Sequence, residues 1–230
     1  MTKKIKKTVL VVGIVMLIGV IAIACTQSPF GRYERNISEI RDNIFIAYDA
    51  DMRVEVISGH REEPFNIDGV RRGELVPFTV VTITPSENIR RDAWSYSVSM
   101  NDTEFVGNFL PHPFLDTFSC DIAAATVDRA ISVTITAEGF ERTFEMTSIV
   151  TDGMIRAEDA FNIALERLES SLSGHYQGNR LNAEVYIRLV TNPITSTDIF
   201  FWYVAFVTPC DTTMAVLIDP MTSEILAARE

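Results

Sequence analysis

A run of nine apolar residues near the C-terminus, residues 199–207, places the strictest limit on how this chain can fold. Because aromatic and β-branched residues predominate, the run predicts a β-strand. Successive side chains of a strand point to opposite faces, so both faces of this strand need a cover. One face carries Phe200, Trp202, Val204 and Phe206, and the other carries Ile199, Phe201, Tyr203, Ala205 and Val207.

An amphipathic helix upstream of this strand predicts the cover of one face. Apolar residues recur at spacings of three and four over residues 157–171, which is the period of an α-helix. We expect Trp202 and Phe206, which share one face of the strand, to lie together on the helix or, if the strand is flipped, together on the opposite side. The helical partners predicted for them are Phe161, Leu165 and Leu168.

The other face of the aromatic strand is a candidate interaction surface. One helix covers one face only, so Phe201, Tyr203 and Val207 require a second cover. The cover can be the preceding part of the same chain, a partner protein or a second copy of the chain. Packing within the chain is the favoured alternative, because large exposed apolar patches are uncommon in monomers.

The C-terminal third of the chain resembles a known module. Its helix begins Arg156-Ala157-Glu158-Asp159-Ala160, strands follow at 185–190 and 200–207, and residues 215–226 read AVLIDPMTSEIL. These features resemble a PepSY domain, an α+β module of exported bacterial proteins and of peptidase propeptides, over residues 155–229. The resemblance implies a helix on an antiparallel sheet and binding of partner proteins, in some cases peptidases, without a catalytic set. Ser223 stands where the family usually has Gly, and Arg156 replaces the usual Ser or Thr cap.

The preceding segment, residues 33–150, predicts a β-sandwich. Short β-branched runs separated by turn residues occupy 52–57, 78–84, 94–100, 131–136 and 142–150. Their number and spacing favour an immunoglobulin-like or fibronectin-like sandwich. The change to helical period near Gly153 predicts a boundary there, with a PepSY-like domain at 151–230. The fold class expected is mainly β with an α+β part.

The N-terminus predicts export and attachment to a membrane. Lysines at 3, 4, 6 and 7 precede seventeen uncharged residues, 8–24, which indicates a signal or anchor segment whose body lies outside the cytoplasm. The run ends Ala22-Ile23-Ala24-Cys25, which resembles the lipobox of bacterial lipoproteins. The resemblance implies that Cys25 carries lipid on the cell membrane, with 1–25 as signal peptide and 26–32 as linker. An uncleaved signal anchor is the alternative, since seventeen residues span about 25 Å as a helix.

Charge excludes several classes of function. No lysine follows Lys7, so 16 of the 20 basic residues are arginines. Without residues 1–24, which contain no acid, these 16 arginines stand against 31 Asp and Glu and give a formal charge of −15. A surface this acidic repels nucleic acid. P-loop and Schiff-base lysines cannot exist beyond the N-terminus.

Catalytic and metal-binding patterns are weak, so no catalytic residue, cofactor or metal is expected. The histidines, His60, His112 and His175, are far apart and belong to no zinc motif. Asp49-Ala50-Asp51 fits a turn better than a calcium loop, because Arg53 occupies a ligand position. In so acidic a chain, most carboxylates are expected to be solvated surface.

Two cysteines follow the N-terminal segment. Cys120 and Cys210 can form a disulfide outside the cytoplasm, or they can be two small buried apolar residues. Spacing alone does not bring their Cα atoms within bonding range.

Together these features predict a membrane-tethered, extracytoplasmic lipoprotein that binds or regulates an envelope or secreted protein and is not an enzyme. Two rivals remain at this point: an envelope hydrolase with an unrecognised site, and a structural component of the envelope. A cleft with converging carboxylates would favour the hydrolase.

Overall fold

A computed structural model describes residues 29–123, 125–127, 129–191, 199–210 and 212–230. The chain divides into two compact units, Met1–Arg35 and Asn36–Glu230. The described end of the first unit contains a short helix, α1 (Pro29–Arg32), which falls in the predicted linker. The anchor segment and Cys25 lie outside the described residues.

The second unit is mainly β, as the sequence predicts, and its strands are bounded as follows. They are β1 (Ile37–Tyr48), β2 (Met52–Glu63), β3 (Glu74–Pro85), β4 (Ser95–Met100), β5 (Thr103–Asn108), β6 (Leu110–Pro111), β7 (Phe118–Ala123), β8 (Ala130–Ala137), β9 (Phe140–Thr147), β10 (Tyr176–Gln177), β11 (Arg180–Leu181), β12 (Glu184–Thr191), β13 (Phe200–Val207), β14 (Thr213–Ile218) and β15 (Ile225–Arg229). The helices are α2 (Ala157–Arg167) and α3 (Glu169–Leu172).

The largest sheet contains strands from both predicted segments. Its order is β15-β14-β13-β12-β1-β2-β3-β7-β6, and β1 pairs with β12 in parallel, with Ile37 opposite Val185. The nine-stranded sheet therefore spans the boundary predicted between 33–150 and 151–230, and both segments lie in one compact unit. Sequence periodicity reports local structure only, and a parallel pair between strands about 150 residues apart leaves no trace in it.

A four-stranded sheet, ordered β5-β4-β8-β9, packs on part of the large sheet. The core between them includes Phe45, Val56 and Val81 of the large sheet, and Trp94 and Val133 on the other side. All five side chains are at most 1% exposed. Burial of such side chains stabilises the fold by roughly 1.5–3 kcal/mol each.

Helix α2 packs on the neighbouring part of the same sheet. The ring centroids of Phe161 and Phe206 lie 6.0 Å apart, and the indole Nε1 of Trp202 donates to the carbonyl of Ile155 at 3.0 Å. The prediction that Trp202 and Phe206 share the helix side is confirmed. Leu168 is fully buried, whereas Leu165 is half-buried.

Helix and small sheet lie on one face of the large sheet, which we call the covered face. Val204, Ile187, Ile40 and His60 are successive partners across the sheet and share that face. Strand β2 pairs with β3 without a register shift, so His60 and Val56 of β2 lie on the same side of the sheet. His60 shares the face of Val204, on the helix side, and Val56 lies under the small sheet, so helix and small sheet lie side by side on one face.

The opposite face, which we call the open face, has neither cover. One row of directly paired residues crosses it from β15 to β7: Ala227, Leu217, Tyr203, Arg188, Arg41, Gly59, Phe78 and Ala123. The row is apolar at both ends and charged in the middle.

The closing turn between β14 and β15 has the geometry that a glycine would favour. Ser223 has φ 65°, the left-handed region. Asp219 Oδ1 accepts from the N–H groups of Met221 (2.7 Å) and Thr222 (2.9 Å), which lowers the pKa of Asp219. At the helix start, Asp159 accepts from the N–H of Arg156, so a side chain inside the helix supplies the cap.

Candidate functional site

The loop between β2 and β3, residues 64–73, crosses part of the open face, and we call it the strap. The ring of Phe65 meets that of Tyr186 edge-on at 6.3 Å, and the Tyr186 hydroxyl donates to the carbonyl of Asn66 at 3.3 Å. Gly69 has φ 81°, and a Cβ there would lie 2.3 Å from the backbone N of Pro209. Glycine is required because the strap lies directly on the turn that follows β13.

Two buried carboxyl groups hold the strap through its backbone. Glu184 Oε2 accepts from the N–H of Gly69 at 2.7 Å and from that of Asp68 at 3.2 Å. Glu62 Oε2 accepts from the N–H of Arg72 at 3.0 Å and from that of Gly73 at 3.2 Å. Four amides of one loop are thus bound by two side chains that are 0% and 1% exposed.

The same two carboxyl groups also lie against each other. Glu184 has further donors in the hydroxyls of Ser38 (3.2 Å) and Tyr186 (3.0 Å), whereas Glu62 Oε1 has none among the described groups. Burial raises the pKa of Glu184, and the adjacent Glu62 raises it further, against the lowering effect of the bonds from Gly69 and Tyr186. Burial also raises the pKa of Tyr186. Glu184 therefore holds its proton to higher pH than an exposed carboxyl group does.

A third buried carboxylate, Glu39, lies beside this pair but is ionically paired. Its Oε1 accepts from Arg41 at 2.9 Å, and its Oε2 binds Arg188. The guanidinium of Arg188 also stacks 4.6 Å from the ring centroid of Tyr186. Two arginines compensate this one buried charge, so Glu39 differs from the pair in its electrostatics.

A groove of about 420 Å³ opens beside the strap. Its wall includes Pro64 and Phe65 of the strap, and Val76 and Phe78 form part of its floor. At the groove, Arg61 forms an ion pair with Asp121, and its guanidinium lies 4.7 Å from the ring centroid of Phe78. The groove offers apolar walls and one fixed charge pair, which suits a ligand with both apolar and hydrogen-bonding groups.

The predicted interaction surface divides in two. Val207 is buried, so it is not available to a partner in this structure, whereas Phe201 and Tyr203 are half-buried on the open face. Val207 packs in an apolar cluster with Tyr186, Ala205 and Ala215, and the small sheet does not cover it because that sheet lies on the other side. For Phe201 and Tyr203, an interaction surface stays a prediction.

Of the two alternatives left open for Cys120 and Cys210, the disulfide is absent. Both are free thiols, with Cys120 buried in the sandwich core and Cys210 exposed in the turn after β13. Burial raises the pKa of Cys120 to about 12, so this thiol stays protonated at neutral pH. The alternative of a small buried apolar residue fits Cys120 but not Cys210.

The histidines do not converge. His60 lies in β2, and His112 Nδ1 accepts from the N–H groups of Phe114 (3.2 Å) and Leu115 (3.0 Å), as a turn-stabilising residue does. Within the described ranges, no cluster of three or more His, Cys, Asp or Glu side chains is arranged to hold a metal ion. Asp49 accepts from the N–H of Asp51 at 2.8 Å, which confirms a turn there.

Sequence reasoning missed the buried carboxylates, because it assigned such groups to solvated surface. Glu184 begins a strand whose next residues are apolar, and this position inside a β-run was the available signal. Glu62 gave none, since it lies among polar neighbours in sequence, and Glu39 lies in a run that mixes charged and apolar residues without clear alternation.

In the part of the chain that the structure covers, no helix is long and apolar enough to cross a bilayer. No protein-family model, curated protein or solved structure matches the chain.

Proposed function

We propose that this chain is a membrane-tethered, extracytoplasmic lipoprotein that binds another envelope or secreted protein and is not an enzyme. The observation that carries the proposal is the groove beside the strap, which is formed, partly apolar and lined by a fixed Arg61–Asp121 pair. Binding sites of this kind combine apolar walls with a few oriented polar groups. The tether follows from residues 3–25 of the sequence.

The finer fold assignments belong to the same proposal. A helix on four antiparallel strands, β12 to β15, supports a PepSY-like part, and the left-handed Ser223 supports the turn that the family forms with Gly. Two packed sheets support an immunoglobulin-like sandwich, although its larger sheet continues beyond it.

The buried carboxyl pair does not favour the hydrolase alternative. General acid–base catalysis requires carboxyl groups within reach of a substrate. Glu62 is among the residues that line the groove, but it is 1% exposed and Glu184 is 0% exposed, and both bind backbone amides of the strap. Their chemistry therefore serves the position of the loop.

Site-specific photo-crosslinking in intact cells tests the binding site. A photoreactive amino acid at Phe65, in the groove, should give a discrete adduct, and Phe78→Ala should abolish it. The same group at Val106, which is 72% exposed on the small sheet, is the matched control and should give no such adduct. Equal adducts at both positions would exclude the groove as the binding site.

Fatty-acid labelling tests the tether. Cys25→Ser should abolish incorporation of a fatty-acid probe. Unchanged labelling, or a mature protein that retains Lys3, would contradict lipid attachment at Cys25.

A further inference from the structure

We propose that the Glu62–Glu184 pair holds the strap closed through one shared proton, so that rising pH releases the strap and remodels the groove. The part about the groove rests on the proposed function, whereas the movement of the strap does not. The proposal stands on the geometry of two carboxyl groups, four loop amides and one oxygen without a donor.

The closed strap depends on both carboxyl groups being held close together. One binds the amides of Asp68 and Gly69, and the other binds those of Arg72 and Gly73, so the pair anchors both ends of the same loop segment. Glu62 Oε1 lacks a donor in the described structure unless a proton lies between the two groups. With that proton, the pair carries one negative charge. Without it, two buried negative charges face each other.

The neighbouring charged groups do not neutralise the second charge. Arg72 faces the pair but binds Asp68, and Arg188 faces Tyr186 but binds Glu39. Arg61, next to Glu62 in β2, binds Asp121. The remaining polar groups on Glu184, Ser38 and Tyr186, are neutral hydroxyls. Arg71, in the strap itself, donates to the carbonyl of Gly73 at 3.1 Å. Arg72, Arg188 and Arg61 thus each bind a carboxylate outside the pair, and Arg72 adds only a through-space interaction with Glu62 and Glu184.

The sign of the pH effect follows from the raised pKa of Glu184. In the open state the group returns to an ordinary pKa, about 4.3, and loses its proton to water. In the closed state Glu184 keeps its proton to higher pH. The proton therefore stabilises the closed strap fully below the ordinary pKa, and this stabilisation is lost as pH rises through the raised pKa. Closing binds one proton and opening releases it to solvent.

Release of the strap would change the open face as well as the groove. Pro64 and Phe65 line the groove, so their displacement would open it. Tyr186 and Val207, now buried, would join Phe201 and Tyr203 in one apolar surface. The strap thus separates a small groove from a larger surface that becomes available at higher pH.

Hydrogen exchange of the full chain, read by mass spectrometry between about pH 5 and about pH 8, tests the proposal after correction for intrinsic rates. Protection of a peptide covering residues 64–73 should fall by up to about tenfold per pH unit, since opening releases one proton. A peptide from β8 (Ala130–Ala137), in the distant small sheet, should keep its protection. Constant protection of the strap over this range would overturn the proposal.

Isosteric variants test whether the Glu62–Glu184 pair causes the pH dependence of the strap. Glu184→Gln supplies a neutral amide that can donate to Glu62 Oε1 at every pH, so the strap should stay protected and lose its pH dependence. Glu62→Gln places the amide on the other side and should behave alike if the first variant fails to fold. Glu63→Gln, at the exposed neighbouring residue, is the matched control and should behave as the unmodified chain. An unchanged pH dependence in both pair variants would overturn the proposal.

The two proposals fail in different ways. If no Phe65 adduct forms but the strap depends on pH, the shared proton is supported and the groove is excluded as a binding site. A specific adduct with a strap insensitive to pH would support the site and remove its regulation.

Discussion

The two faces of the nine-stranded sheet are built from the same strands but are stabilised by different interactions. On the covered face, Phe206 meets the ring of Phe161, and Val56 lies in the sandwich core. On the open face, Arg41 and Arg188 occupy the centre of the sheet and bind the buried Glu39. Apolar packing therefore stabilises one face, and ion pairs with a loop stabilise the other. The comparison indicates that the covered face contributes most of the stability, whereas the open face holds the part of the structure that can move, the strap.

The largest effect should come from truncating the covered side of β13. Phe206→Ala removes a fully buried ring from the contact with helix α2 and should lower the free energy of unfolding by about 3–5 kcal/mol. Phe201→Ala is the matched control, since the same side chain on the same strand points to the open face and is half-buried. Urea unfolding followed by far-UV circular dichroism measures both. Equal losses would show that the faces do not differ in packing.

A smaller loss should follow from removing the charge of Glu39. Glu39→Gln keeps the shape of the side chain but weakens its bonds to Arg41 and Arg188, which should cost about 2 kcal/mol. Glu55→Gln, which weakens the half-exposed pair with Arg53 in β2, should cost at most about 0.5 kcal/mol. The same denaturation experiment compares them. If Glu39→Gln lowered the free energy of unfolding no more than Glu55→Gln, the ion pairs at the centre of the open face would stabilise the fold no more than a surface ion pair does.

The smallest loss is expected at the rim of the open face. Tyr203→Glu introduces a charge at a half-buried position, and we expect a change within about 1 kcal/mol because solvent reaches the side chain. If Tyr203 contacts a partner, the variant should keep its thermal midpoint and lose crosslinking from a photoreactive group at Phe201. A large fall in the midpoint would show that the open face is covered within the chain.

Local features of the chain were predictable because they depend on neighbours in sequence. The 3.6-residue period of residues 157–171 predicted α2, and the two apolar faces of residues 199–207 predicted a strand with two environments. Ser223 was noted only as a departure from Gly, and the sequence did not decide the conformation of its turn; the φ of 65° shows a backbone that favours Gly. Strand β1 was missed, because Ile37 to Tyr48 mixes charged and apolar residues and alternates poorly around its bulge at Arg41 and Asn43.

By itself the sequence determined the chain's β-rich character, the helix and its apolar stripe, and the apolar, lysine-flanked N-terminus, since each depends only on short-range periodicity or composition. Only the tertiary structure decided that β1 joins β12 in one sheet, that the strap contacts Tyr186, and that Glu39, Glu62 and Glu184 are buried. A carboxylate is buried when distant groups satisfy it: Glu184 depends on Gly69, 115 residues away, and Glu39 on Arg188, 149 residues away. Such partners lie far outside any sequence window, so the candidate site could be recognised only after the chain had folded.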